Sequence, residues 1–361
     1  MMFSLINRYV VRRLSVATLY ALLALLALFV FFDVIDQIGD VGEGQYTAAK
    51  MLQYIAMQLP GRAYELMPLA VLVGGLIAMS QLAANSELTV MKTSGISTAR
   101  LMAMLAQFGL LFAAFTLVLG EWVAPEMGRR AEQFKVNAQQ NTISASGNSG
   151  IWMKQDKDII NVAEMLPDGT LRDITIYRHD ERFQLIQTVH ARAALVQADT
   201  PGQWQLQDVR TTRLLDERTE SAAFAEHNWP AAVSQDLLSV LLVTPEQMSV
   251  RDLGQYIRHL SDNHQQTTRY ELAWWRKLGY PLAALIMAWV ALAFTPQNTR
   301  HGNMGLRLFF GICLGLAFHF SGRLFGFSSQ LYGIPPVIAA LLPTVLFALL
   351  ALWLIRRQEK R

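Results

Sequence analysis

The sequence predicts an α+β membrane protein, with six transmembrane helices and an antiparallel β domain inserted between the third and the fourth. Three observations carry this reading. Of the 361 residues, 52% are hydrophobic and only 16% charged, where soluble domains carry about 25% charged residues. Six apolar runs, at 14–34, 64–84, 101–122, 278–295, 304–323 and 335–355, approach or reach the length a bilayer core requires. The polar stretch between the third and fourth runs is too long for a loop and long enough for a small domain.

The first run follows Arg8, Arg12 and Arg13 and precedes Asp33, Asp36 and Asp40 without a small-residue cleavage pattern, so it reads as an uncleaved span. Residues 46–60 place Ala48, Met51, Leu52, Ile55 and Leu59 at helical spacing and stop at Pro60. This pattern predicts an amphipathic helix on the outer membrane surface. After the second run comes "SELTVMKTSGISTAR" (86–100), helix-compatible from Ser86 to Thr93 and broken at Gly95.

Beyond the third run, "GIWMKQ", "DIINVAEM", "LRDITIYR", "FQLIQTVHARAALV" and "WQLQDVRTTRLL" alternate with a period near two and are rich in β-branched residues. "PDG" (167–169) and "TPG" (200–202) supply turns. Short strands in succession predict an antiparallel sandwich or roll. "MSVRDLGQYIRHL" then predicts a helix with Ser249 as N-cap, Asp252 three residues on, and Leu253, Ile257 and Leu260 on one face. Trp274 and Trp275 precede the fourth run as an interfacial belt would. The predicted organisation is helices one to three over 1–125, with a connecting helix at 85–97, a β domain over 126–265, and helices four to six over 266–361.

Cations set the orientation. Arg8, Arg12, Arg13, Lys92, Arg100, Arg300, His301, Arg356, Arg357, Lys360 and Arg361 flank one side. The other side has Lys50 between runs one and two and none between Phe325 and Ile334. Both termini are therefore expected in the cytoplasm and the β domain outside it. Arg129, Arg130, Arg276 and Lys277 oppose this, but they border the long insert, where the rule weakens. The net charge of +3 forms no single soluble patch, so nucleic acid is not an expected partner, and the lone Cys313 excludes a disulfide framework.

No GxxxxGK[ST] loop is present, so ATP hydrolysis by that route is not expected here. The seven histidines form no HExxH, and His259 with His264 lacks a common zinc spacing. "GNSG" (147–150) is not a nucleophile elbow. Neither a catalytic nor a metal site is predicted. Ionisable residues within spans are functional candidates by default. Asp33 and Arg323 lie at equal depth toward the outer side, where the two pair, or Arg323 and His319, four apart on one helix face, meet a ligand phosphate, or each snorkels to the interface. Gly74-Gly75 in the second run and the Gly311–Gly315 GxxxG in the fifth permit close helix packing, within the chain or between subunits.

"SELTVM", "GEWVAP" (120–125) and "YGIPPVIAALLP" (332–343), with the large insert, resemble the permease family of the lipopolysaccharide exporter, the LptF/LptG pair. The second and third wordings are nearer the LptG type. The resemblance implies a six-span subunit of a Gram-negative inner membrane with a periplasmic β-jellyroll domain. It implies a homologous LptF-like permease partner, two copies of an LptB-like cytoplasmic ATPase that uses ATP and Mg, and a single-span LptC-like partner. This chain would then need no cofactor of its own.

The same resemblance implies that lipopolysaccharide leaves the outer leaflet of the inner membrane for a periplasmic bridge, between lateral gates formed by spans one and five. It makes Glu87, Leu88, Met91 and Lys92 candidates for ATPase coupling. Asp33, Asp36, Lys135, Arg276, Lys277, His319 and Arg323 become gate or substrate candidates. Relatives carry lysines near the outer end of span one where this chain reads "FFDVIDQIGD", which puts phosphate contacts from that segment in doubt. A scaffold that transmits ATPase strokes without carrying lipid shares the predicted topology. Exposing a multi-acyl lipid costs about 0.8 kcal/mol per methylene, so a permease of this kind needs an outside motor.

Overall fold

Each of the six apolar runs is the core of a longer helix. The protein is seen in a computed structural model that describes residues 2–139, 151–155, 157–165, 170–196, 203–215, 218–230, 245–263, 265–295 and 304–359. The predicted turns at 167–169 and 200–202, "GNSG", His264, Arg300, His301, Lys360 and Arg361 lie outside the described residues. Among the described residues, six helices are long and apolar enough to cross a membrane.

Helix α1 (Met2–Gln37) has 36 residues, about 54 Å at 1.5 Å per residue, well beyond a hydrocarbon core of about 30 Å. Helix α2 (Ala48–Ala84) corrects the expectation of a separate surface helix ending at Pro60, for it runs unbroken through Pro60 and Pro68. A proline inside a helix costs about 3 kcal/mol when nothing compensates. Here Met51, Tyr54 and Ile55 are buried against Ala131 and Ala138 instead of facing lipid headgroups. Further along, the Tyr280 hydroxyl donates to the Glu65 carbonyl at 2.9 Å, beside the Tyr64 carbonyl that Pro68 leaves without its usual donor.

Helix α3 (Glu87–Thr93) is short and sharply bounded. Ser86 enters it at φ 60 and Gly95 leaves at φ 89. Gly95 N–H bonds to the Lys92 carbonyl and Ile96 N–H to that of Met91, both at 3.1 Å. This is a Schellman ending, which favours glycine for its left-handed backbone. Helix α4 (Thr98–Val118) passes through a π-helical turn (Leu119–Val123) into α5 (Ala124–Gln139). The turn falls within "GEWVAP", where Gly120 has no side chain because the Tyr64 ring occupies that space.

Among the described residues the inserted domain is one antiparallel sheet in meander order: β1 (Ile151–Gln155), β2 (Asp158–Met165), β3 (Leu171–His179), β4 (Leu185–Val196), β5 (Gln203–Leu214) and β6 (Thr219–Pro230). Alternation places Ile160, Val162, Ile174, Ile176, Trp204 and Leu206 on one fully buried face. The sheet curls until its edges meet at one end. There Gln155 Nε2 donates to the Pro230 carbonyl at 3.2 Å, and Arg178 lies over the Trp229 ring at 4.7 Å. The sequence pattern missed β6, whose side chains are almost all exposed and so show no alternation.

Helix α6 (Val250–Asp262) carries the expected capping box between Ser249 and Asp252. It leads to α7 (Thr268–Ala293), then α8 (Met304–Tyr332) and α9 (Pro336–Glu359). Helix α2 sits at the centre of the bundle, while α1 and α8 leave most of their side chains uncovered. All four singled-out glycines serve contacts within this chain. Gly74 meets the Thr18 backbone, Gly75 the Ala291 side chain, Gly311 the Leu76 side chain and Gly315 that of Leu69.

Candidate functional site

Two groups of charged residues stand at opposite ends of the bundle. At the α3 end, Leu88 and Met91 are buried in the main core, the short helix packs against the end of α2, and one hydrogen bond ties it to α1. Glu87 is half-buried and already engaged. Its Oε2 accepts from the Tyr9 hydroxyl at 2.9 Å and its Oε1 from Asn85 Nδ2 at 3.2 Å. Val90, 60% exposed, and Lys92 remain on the outer face. Tyr9, which places α1 in direct contact with α3, was missed in the sequence because residues 78 positions apart leave no local pattern.

At the other end, Asp33 and Arg323 do not pair directly. Asp33 is 8% exposed, and both its oxygens are taken by Arg62 of α2, with Nη2 to Oδ1 at 2.6 Å and Nε to Oδ2 at 3.2 Å. This bidentate fork satisfies the carboxylate from a neighbouring helix. Arg62 Nη1 also reaches Glu65 at 3.6 Å, and Glu65 lines the cavity that holds Arg323. Asp33 and Arg323 are thus joined through α2, as a row of alternating charges.

Lys135 of α5 is likewise engaged, with Asp40 at 2.7 Å and with Gln37 Oε1 at 2.7 Å. The outer acidic segment of α1 therefore has two cationic clamps, while Asp36 is exposed. Arg276, Lys277, His319 and Arg323 come together around one cavity between α2, α7, α8 and α9. Arg62, Glu65 and Glu246, which complete this network, were not singled out in the sequence. The signal available was the Arg62–Glu65 spacing of three at the mouth of an apolar run.

The "GEWVAP" motif has a structural task. Glu121 Oε2 accepts the Val250 N–H at 2.9 Å, adding a second acceptor to the start of α6. Arg129 bridges Glu126 and Asp252 at 3.0 and 3.1 Å. These bonds fix the far end of the third span to the helix that returns the chain to the bundle. Among the described residues no group of three or more histidine, cysteine or carboxylate side chains could hold a metal ion.

The chain matches the family model of the lipopolysaccharide export system permease LptF/LptG over residues 8–357. It is 28% identical over 358 residues to the lipopolysaccharide export system permease protein LptG of Haemophilus influenzae, covering 99% of this chain and 100% of that protein. Identity to LptG of Escherichia coli K12 is also 28%, over 99% of each. LptF of the same strain is more distant, at 22% over 83% of this chain and 81% of its own length. The six apolar helices, the β insert between the third and fourth, and a match that runs through all of them lead to one conclusion: this chain belongs to the LptF/LptG family of lipopolysaccharide export permeases, the membrane subunits of that export system.

Proposed function

We propose that this chain is the LptG-type subunit of an ATP-driven machine that draws lipopolysaccharide from the outer leaflet of the inner membrane and hands it to a periplasmic bridge. The observation that carries this reading is the family match over residues 8–357, which spans both the helical bundle and the β insert. In this reading an LptF-like chain completes the transmembrane passage and two LptB-like ATPases bind ATP and Mg below it. An LptC-like single-span protein meets the β domain. Both termini are cytoplasmic, the β domain is periplasmic, and α1 and α8, the two least-covered helices, form this chain's share of the lateral gates.

The placement of α3 supports a coupling role. It is anchored by Leu88 and Met91, hydrogen-bonded to α1 through Glu87, and bare at Val90. A load applied to α3 reaches the foot of a gate helix through one hydrogen bond and a packed core. Docking of Glu87 on a cationic groove of the ATPase then matters for assembly, since charge pairs inside interfaces are worth about 1.5 to 7 kcal/mol and exposed pairs about 0 to 1. Glu87→Ala is expected to reduce ATPase co-purification and lipopolysaccharide release. Unchanged co-purification together with wild-type release would remove Glu87 from the coupling contact.

A further inference from the structure

The cavity between α2, α7, α8 and α9 has a volume of about 160 Å³, room for several waters or a compact headgroup. Three cations line it. Lys277 is only 8% exposed, and among the described residues its ammonium has no hydrogen bond or ion pair. The Tyr64 ring lies 6.0 Å away, at the limit of cation–π attraction, and the Glu121 and Asp252 carboxylates act on the ammonium through space without a direct contact. Arg323 has no hydrogen bond or ion pair among the described residues. Arg276 gives one N–H to the Gly322 carbonyl, its guanidinium lying where Gly326 has no side chain.

The carboxylates Glu65 and Glu246 share the cavity, yet neither forms an ion pair with any of these three cations. Glu65 is instead paired with Arg62. A largely buried ammonium with no direct hydrogen-bond partner favours an anion beside it. The donor hydrogens of Lys277 are therefore open to an acceptor inside the cavity.

We propose that this cavity binds the phosphate ester of an amphiphile's headgroup. Planar guanidiniums match phosphate oxygens in pairs, and the lysine adds a point charge. Phe318, Ala340 and Pro343 offer an apolar wall on the same cavity. Glu65 and Glu246 are placed to accept hydrogen bonds from hydroxyl or amine groups beside the phosphate. The proposal deepens the permease reading, on which it rests, by naming the chemical group that this chain's own bundle holds. The source is a phosphorylated glycolipid such as lipopolysaccharide or a membrane phospholipid.

The test uses the full chain with its partner subunits in a maltoside detergent, which carries no phosphate. A photoreactive benzoylphenylalanine replaces Phe318, and lipopolysaccharide, enzymatically dephosphorylated lipopolysaccharide or phosphatidylglycerol is offered. Labelling by a phosphate-bearing lipid is expected, falling about tenfold with the dephosphorylated form and in Lys277→Met or Arg323→Gln complexes that still elute intact. Labelling by lipopolysaccharide supports a site on the substrate's route, and labelling by phosphatidylglycerol alone supports a resident phospholipid. No lipid label, or equal labelling by phosphorylated and dephosphorylated forms, overturns the proposal. Lipopolysaccharide release assayed on the same preparation keeps the permease reading separate, because release without phosphate-dependent labelling sinks the cavity assignment alone.

Discussion

Asp33 and Arg62 show how one residue changes the chemistry of a whole helix end. The chain has an acid at this level of the first span, and the bidentate fork from Arg62 neutralises it. The Asp33 side chain is 10% exposed and that of Arg62 33%, so the pair lies between the exposed and buried limits. Its coupling should fall at about 1 to 3 kcal/mol. A double-mutant cycle on Asp33→Asn and Arg62→Gln, read by thermal denaturation of the purified complex, should return that coupling. A value near zero would mean the fork does not hold the outer end of α1 to α2. Asp33 was legible as an unusual intramembrane charge, but its partner was not. Sequence spacing shows neighbours on one helix and is silent about which helix lies alongside.

At the scale of elements, what the sequence revealed tracks how strongly an element's burial is periodic. Strands β1 to β5 were legible because one face of each is buried and the other is not. Strand β6 was invisible because its outward exposure is nearly uniform, and Pro60 misled because its helix is held by neighbours instead of by its own hydrogen bonds. The capping box of α6 was readable from Ser249 and Asp252 alone, since both of its bonds are local.

Helix α6 also carries a pH-sensitive group. Burial holds the His259 imidazolium below the ordinary histidine range, opposed in part by the Asp262 carboxylate. A histidine whose folded value lies below its unfolded value of about 6.5 favours the fold in its neutral form. That contribution is complete above the unfolded value and is lost as pH falls through the folded one. Wild-type protein should therefore lose more thermal stability than His259→Gln between about pH 8 and pH 5. Parallel loss in the two proteins would show that His259 does not titrate against the fold.

At the scale of the whole molecule, the charged constellations sit at the two ends of a bundle whose centre is α2. One end presents α3, tied to α1 through Tyr9 and Glu87. The other presents the row Asp33, Arg62, Glu65 and the cations of the cavity. Helix α1 touches both, so a displacement imposed at α3 has a continuous path to the far end. The six spans and the short helix between the second and third were legible because membrane spans are written in long apolar runs and their polar connections are short. The convergence of Arg276, Lys277, His319 and Arg323 on one cavity was not, because it depends on how α7, α8 and α9 pack against α2.

The most direct measurement of the central claim is lipopolysaccharide transfer by the full chain, reconstituted in proteoliposomes with a homologous permease, the ATPase and a periplasmic acceptor. Radiolabelled lipopolysaccharide should leave the membrane for the acceptor only when ATP is hydrolysed and only when this chain is present. Hydrolysis at the full rate with no lipopolysaccharide leaving the bilayer, or equal transfer without this chain, would contradict it.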